Sequence, residues 1–379
     1  MAAPTVLLTL GRLPKALALA RACRAAGCRV LIADPFRWHV CRPSRAVDRC
    51  FRVTAPNSDL DAYLGDLLRI VADEKVDLIL PVSEEALHVT HLAGRLPDGV
   101  RLWSAPREQI ARYHDKLDFN RLAAGLGLAV PATYPAEAPE AAELATGHDF
   151  VVKPRHSCSG IGLRLARAGE VLFERAPGAL VQERLDGQLL SSLSIVDKGR
   201  EIATVLYRGR VFAGTVAICF ERVDDAPAAK AWIRQFIASS DYSGFLAFDF
   251  IVGTDGTARA IECNPRATSG VHFFEPKSLG RALLDPEGCE AVVLADARRQ
   301  QWAYSTLTET YAAILRPREF LRRFREMCFA RDVIWSVRDP MPFLLMTPMS
   351  WEILWPAMTT SLTLGEATQR DIAWFGGSS

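Results

Sequence analysis

The chain has 379 residues, 49% of them hydrophobic and 23% charged, enough apolar material for two or three packed domains, which excludes a disordered or fibrous protein. Forty-five basic residues against forty-four acidic ones leave a formal charge of +1, so no overall field gathers nucleic acid or anionic lipid, and no nucleic-acid partner is expected. The nine cysteines form no CxxC pair or Cys/His ligand spacing, no signal-type leader is evident, and no apolar run reaches the roughly 20 residues that span a bilayer; reduced cytoplasmic thiols are expected.

Residues 1–105 alternate strand and helix patterns. Val6 to Leu10 is a short buried-strand pattern, Gly11 a turn, and Leu13 to Ala26 a helix with apolar positions at Leu13, Ala16, Leu17, Ala20 and Cys23. Arg29 to Ala33 reads as the next strand, Leu60 to Ala72 as helix, Val76 to Pro81 as strand and Glu84 to Ala93 as helix. Such alternation predicts an open α/β layer with a parallel sheet. Gly11 lacks the GxGxxG spacing of a dinucleotide turn. Glu84 and Glu85 follow a strand's carboxyl end, where open sheets bind ligands, although acidic residues also suit a helix's first turn.

From 106 to 125 a linking helical stretch carries Asp115-Lys116, and Pro131 to Gly147, rich in Ala, Pro and Glu, reads as a surface connector. Strands then dominate: Phe150 to Lys153, Ile161 to Leu165, Ala179 to Gln182, Leu190 to Val196, Ile202 to Tyr207 and Val211 to Cys219. Between the first two lies Lys153-Pro154-Arg155-His156-Ser157-Cys158-Ser159-Gly160-Ile161-Gly162. Its small residues let backbone N–H groups approach phosphate oxygens, and the lysine adds a fixed positive charge. Arg155 and His156 are placed either to touch phosphate or to be solvated loop side chains. The strand ending Gln182-Glu183-Arg184-Leu185 offers main-chain groups to an adenine edge.

The sharpest pattern is Phe248-Asp249-Phe250, then Gly253-Thr254-Asp255-Gly256-Thr257, then Ile261-Glu262-Cys263-Asn264-Pro265-Arg266. It predicts a hairpin on which Asp249, Glu262 and Asn264 share one face, because strand side chains alternate. Three hard oxygen donors there suit magnesium held against phosphates; taken alone, they could also be solvated carboxylates. Beyond 280 the chain reads as helical, Arg-rich and aromatic. Its stretch Met341 to Met358 is broken by prolines and reads as buried or partner-facing rather than membrane-spanning.

Taken in order, a lysine in a linking helix, a lysine with a small-residue loop, a strand ending Gln-Glu, an acidic strand and Glu-x-Asn-Pro-Arg resemble the ATP-grasp superfamily. The resemblance spans about residues 1–275, and Glu262-x-Asn264-Pro265-Arg266 is similar to its carbamoyl phosphate synthetase and biotin carboxylase branch. The run on to Thr268-Ser269-Gly270-Val271-His272, with Asp332 to Pro342 and Asp371 to Trp374 in the tail, looks like single-chain carboxylate-amine ligases of secondary metabolism. It implies an α/β fold with an α+β C-terminal half: a Rossmann-like domain at 1–105, an ATP-grasp region at 106–280 with a small lobe about 130–185 and a large lobe about 186–280, and a mainly helical extension at 281–379.

By the same resemblance, ATP would be held by Lys116 and Lys153, by the loop through Ser157, Ser159, Gly160 and Gly162, and at the hinge by Gln182, Glu183 and Leu185. Asp249, Glu262 and Asn264 match the ligands of magnesium, with manganese the alternative. Arg266 matches the arginine facing the developing phosphate and the acyl intermediate. His272 is placed either to deprotonate an amine or to serve as a structural histidine. Two departures stand out: Leu189 replaces the usual ribose-binding glutamate, and Ala247 replaces an arginine often found before the acidic strand residue. The implied activity is ATP-dependent joining of a small-molecule carboxylate to an amine. The alternatives are carboxylase-like or kinase-like transfer from the same ATP site, or non-catalytic nucleotide binding. The aromatic tail is expected to fill a core, to cover the site or to form a homodimer face.

Overall fold

The computed structural model describes residues 3–156, 162–170, 178–360, 362 and 364–374. The N-terminal layer is a five-stranded parallel sheet. Its strands are β1 (Thr5–Leu8), β2 (Arg29–Asp34), β3 (Arg49–Arg52), β4 (Leu78–Leu80) and β5 (Arg101–Leu102), in the order β3-β2-β1-β4-β5. β1, β2 and β4 are almost wholly buried, as near-continuous apolar runs covered on both faces must be. Its helix Pro14–Ala25 packs on helix Pro276–Leu284, where a Cβ on Gly280 would come 2.1 Å from the Ala22 carbonyl oxygen. This close contact fuses the layer to the second sheet through one core that runs from Val6 and Leu17 to Leu193, Phe273 and Leu283.

A four-stranded antiparallel sheet, β6-β9-β7-β8, comes next, built from β6 (Thr133–Pro135), β7 (Phe150–Pro154), β8 (Arg164–Ala166) and β9 (Ala179–Glu183). Pro131 to Gly147 is no mere connector. It supplies β6 and helix Pro139–Gly147, whose Ala141, Leu144 and Ala145 pack on Phe150 and Val181. The apolar face is made of alanines, which composition alone does not distinguish from a linker.

The third sheet has seven strands, β14-β13-β10-β11-β12-β15-β16. They are β10 (Gln188–Asp197), β11 (Arg200–Ala213), β12 (Val216–Arg222), β13 (Gly244–Val252), β14 (Ala258–Asn264), β15 (Arg299–Gln301) and β16 (Arg331–Asp332). Two expected strands, 202–207 and 211–219, are a single β11 followed by β12. Arg208-Gly209-Arg210 looks like a turn but forms a bulged stretch, and the chain reverses at Gly214 instead, with φ at 59°. Helix Pro276–Leu284 crosses residue 280, and β15 and β16 from the tail extend this sheet.

In the tail, Met341 to Met358 folds as short helices, and among the described residues no helix is long and apolar enough to cross a membrane. The aromatic supply fills a core only in part: Trp302 packs on it, whereas Trp335, Trp351 and Trp355 are exposed.

Candidate active site

The hairpin β13–β14 forms as its sequence predicts, closed by Gly253 and Gly256, the latter at φ 76°. Asp249 lies opposite Glu262 and Ala247 opposite Asn264, with an irregularity just after Asp249. All three polar side chains therefore meet: Asn264 Nδ2 lies 3.3 Å from Asp249 Oδ2 and 3.3 Å from Glu262 Oε1. Ser191 on β10 donates to Asp249 Oδ1 at 2.5 Å. Behind the hairpin, Phe248 and Phe250 pack with Trp232, Phe236 and Phe119, which presses the helix Lys116–Gly125 against the reverse side of the face that carries Asp249, Glu262 and Asn264.

Lys153 crosses from the second sheet to the third. Its Nζ donates to Gln182 Oε1 at 2.8 Å and to the Ile261 carbonyl at 3.1 Å, next to Glu262. Burial lowers this lysine to about 8, against the pull of Glu262. Burial also works on the facing carboxylates, with opposite results. It raises Asp249, and the neighbouring Glu262 charge adds to the rise, whereas Lys116 and Lys153 overcome burial at Glu262 and hold it below the ordinary range. Two like charges at one place split their titrations in this way.

Among the described residues no group of three His, Cys, Asp or Glu could hold a metal. The third protein oxygen here is Asn264's amide, so the donors are two carboxylates and one amide. A hard cation that keeps water and phosphate oxygens in its shell fits that set.

Arg266 Nη2 meets Asn264 Oδ1 at 3.0 Å and Glu84 Oε1 at 2.6 Å. The two adjacent glutamates thus part company. Glu85 accepts from Val82 N, Ser83 N and Thr9 Oγ1, closing its own turn. Glu84, only 1% exposed, faces Arg266, which with Lys15 and Lys116 overcomes burial and keeps it below the usual carboxylate range, and lies 3.8 Å from His114. The Gly11 amide donates to Asp34 Oδ2 at 2.8 Å, and a Cβ there would lie 2.5 Å from His39, so this glycine serves the turn's own packing and its amide is already taken.

Of the other expected residues, Lys116 opens its helix behind Asp115, whose carboxylate accepts from Leu117 N and Asp118 N. Arg155 is tied to Asp115 at 2.5 Å and Asp118 at 3.0 Å, acting as a strut between β7 and that helix. Gln182 is buried and turned inward, donating to Thr133 Oγ1 at 2.8 Å while it receives Lys153. Glu183 pairs with Ala132 through its amide and its carboxylate, and Leu185 is half-buried beyond it. Gly162 holds φ at 74° against Pro154. Ser157, Ser159 and Gly160 lie outside the described residues.

His272 is buried, stacked on Phe220 at 5.9 Å and pushed by burial down to about 3, surroundings that favour the structural histidine over the base. Sequence reasoning missed Ser191, Glu84 as the partner of Arg266, and His114 beside it. Only Ser191 carried a local signal, as one of several serines in an apolar strand.

Residues 113–270 match the family model described as an ATP-grasp domain. The chain is 26% identical over 184 residues to the 3-methyl-D-ornithine–L-lysine ligase of Methanosarcina mazei, a match that covers 48% of this chain and 44% of the relative. It is 28% identical over 234 residues to the carbamoyl phosphate synthase large chain of Deinococcus deserti, covering 55% and 22%. The matches thus span less than half the length of these curated relatives. The fold is similar to that of N5-carboxyaminoimidazole synthetase from Staphylococcus aureus, solved with ADP, at a TM-score of 0.61 and 16% identity over 78% of this chain and 80% of that one. Sequence and fold agree that this chain carries an ATP-grasp domain.

Proposed function

We propose that this chain is an ATP-dependent ligase that joins a small-molecule carboxylate to an amine. A carboxylate is a poor electrophile. In this reading its oxygen attacks the γ-phosphorus of ATP, the bond to ADP breaks, and an acyl phosphate forms. The amine nitrogen then attacks the acyl carbon, phosphate leaves, and the nitrogen gives up a proton to solvent or to the departing phosphate. The observation that carries the reading is the reach of Lys153 across the sheets to the Ile261 carbonyl, beside Glu262 and Asn264.

Lys153 and Lys116 place positive charge where phosphate oxygens gain negative charge, and burial strengthens that charge's effect. The turn after Glu183 would take the adenine, and with Leu189 exposed at its rim the ribose lacks a carboxylate there. Arg266, steadied by Glu84 and Asn264, would face the acyl phosphate. Magnesium, or manganese, held by Asp249, Glu262 and Asn264, would supply charge neutralisation at the phosphates. No side chain is required as a covalent nucleophile. We further assign the protein to the cytoplasm and the exposed tail to a homodimer face.

The test is ADP and phosphate release from the purified chain across a panel of carboxylic acids and amines, with mass spectrometry of the adduct. Release that requires both an acid and an amine supports the ligase; release driven by bicarbonate alone would mark a carboxylase.

A further inference from the structure

The segment 364–374 returns to the site. Asp371 meets Arg12 through both oxygens, at 2.7 and 2.9 Å, and Arg12 also donates to the Thr368 carbonyl at 3.2 Å. Asn57 Nδ2 donates to the carbonyls of Arg370 and Ala373 at 3.0 and 2.9 Å. This strap sets Trp374 between two imidazoles, its ring 5.8 Å from His114 and 5.0 Å from His156, both edge-on. His114 lies 3.8 Å from Glu84, which in turn holds Arg266.

Three imidazole nitrogens here are buried and have no hydrogen-bond partner among the described residues: Nε2 of His114 and Nδ1 of His156, whose rings flank the indole, and Nε2 of His88, whose ring bonds the backbone of Ile372 in the strap. His114 is 3% exposed. Such atoms are costly unless something satisfies them. Burial holds His88 and His114 down to about 4, so both are neutral and each ring can donate and accept.

We propose that Trp374, His114 and His156 form the subsite for the body of the carboxylate substrate, beside Arg266, and that it selects a cyclic acid bearing hydroxyl groups. The indole supplies a flat apolar wall. The neutral imidazoles match hydroxyls. The proposal rests on the ligase reading above, but its test separates the two.

The full chain is labelled with 5-fluorotryptophan, the Trp374 resonance is assigned with Trp374→Phe, and the protein with MgADP is titrated with quinate and 4-hydroxybenzoate, then with propionate and glutarate. The expected result is a saturable shift of the Trp374 signal with the hydroxylated ring acids, at affinity roughly tenfold or more above the other two. In ADP release, Trp374→Ala raises the KM for the ring acid roughly tenfold and leaves the KM for ATP within about twofold, as loss of a ground-state contact requires. A Trp374 signal that no ring acid moves, or an ATP KM that rises as much as the acid KM, overturns the subsite. A shifted signal without acid-dependent ADP release keeps the subsite and refutes the ligase.

Discussion

Two buried charge clusters lie in this molecule and are built to opposite ends. Around Arg12, nearly every polar atom is spoken for: Asp34 takes the guanidinium through both oxygens and also accepts the Gly11 and Phe36 amides, Asp371 takes the other side, and the Phe36 ring lies 3.4 Å from the guanidinium carbon. Arg12 is driven further toward its charged form and Asp34 is held low by it. On the hairpin, by contrast, Asp249 and Glu262 are pushed apart in titration and balanced by lysines that come from other elements. The first cluster is complete without a ligand and acts as a strut. The second leaves two carboxylates with opposed titrations facing buried lysines, the physical mark of a candidate site, and in the reading proposed above it takes a cation and phosphate.

Glu262→Gln gives the largest functional effect: ADP release falls by about three orders of magnitude, the scale of losing a preorganised electrostatic contact. The denaturation midpoint moves little, because burial still raises Asp249 but the loss of the neighbouring charge eases its ionisation, which then helps balance Lys153. Substantial unfolding of this variant would erase the contrast between the clusters. Asp34→Asn gives the reverse result. It leaves part of a buried guanidinium uncompensated and costs about 3–5 kcal/mol in urea unfolding, while turnover per folded molecule is kept.

A smaller effect comes from His272. Its folded-state value of about 3 lies below the unfolded one, so its contribution to stability is present above about pH 6.5 and is lost as pH falls toward 3. In that window stability falls by at most about 1.4 kcal/mol per pH unit from this residue, and His272→Phe makes the acid limb of unfolding shallower by that amount. Trp351→Ser, on the exposed tail, shifts the stability of the isolated monomer by no more than about 0.5 kcal/mol, which urea titration of dilute protein can check.

The hairpin was legible because its signals are local: two glycines close the turn, and aromatic alternation fixes which side chains share a face. The position of Lys153 followed less directly, since a strand end predicts a charge but not what it reaches. Nothing near Glu84 announces Arg266, which is 182 positions away in sequence; the two meet where Lys15 Nζ ties Ser83 Oγ at 3.0 Å to the Ala267 carbonyl at 2.7 Å. Likewise Arg208-Gly209-Arg210 reads as a turn until Phe212, whose ring would lie 2.2 Å from a Cβ on Gly209, shows why a side chain is missing there. His272 stayed open between base and structural histidine for the same reason: its position after β14 was visible, but the Phe220 ring stacked on it was not.

The clasp between Arg12 and Asp371 joins residues 359 positions apart. At roughly 5–20 residues per second of synthesis, the guanidinium leaves the ribosome well before its second carboxylate is made and has only Asp34 for company meanwhile. The nascent N-terminal layer therefore matures in two stages, early around its own aspartate and late when the other end of the chain arrives, and messages cut short before Asp371 would yield a protein whose first strands are made but never fully locked.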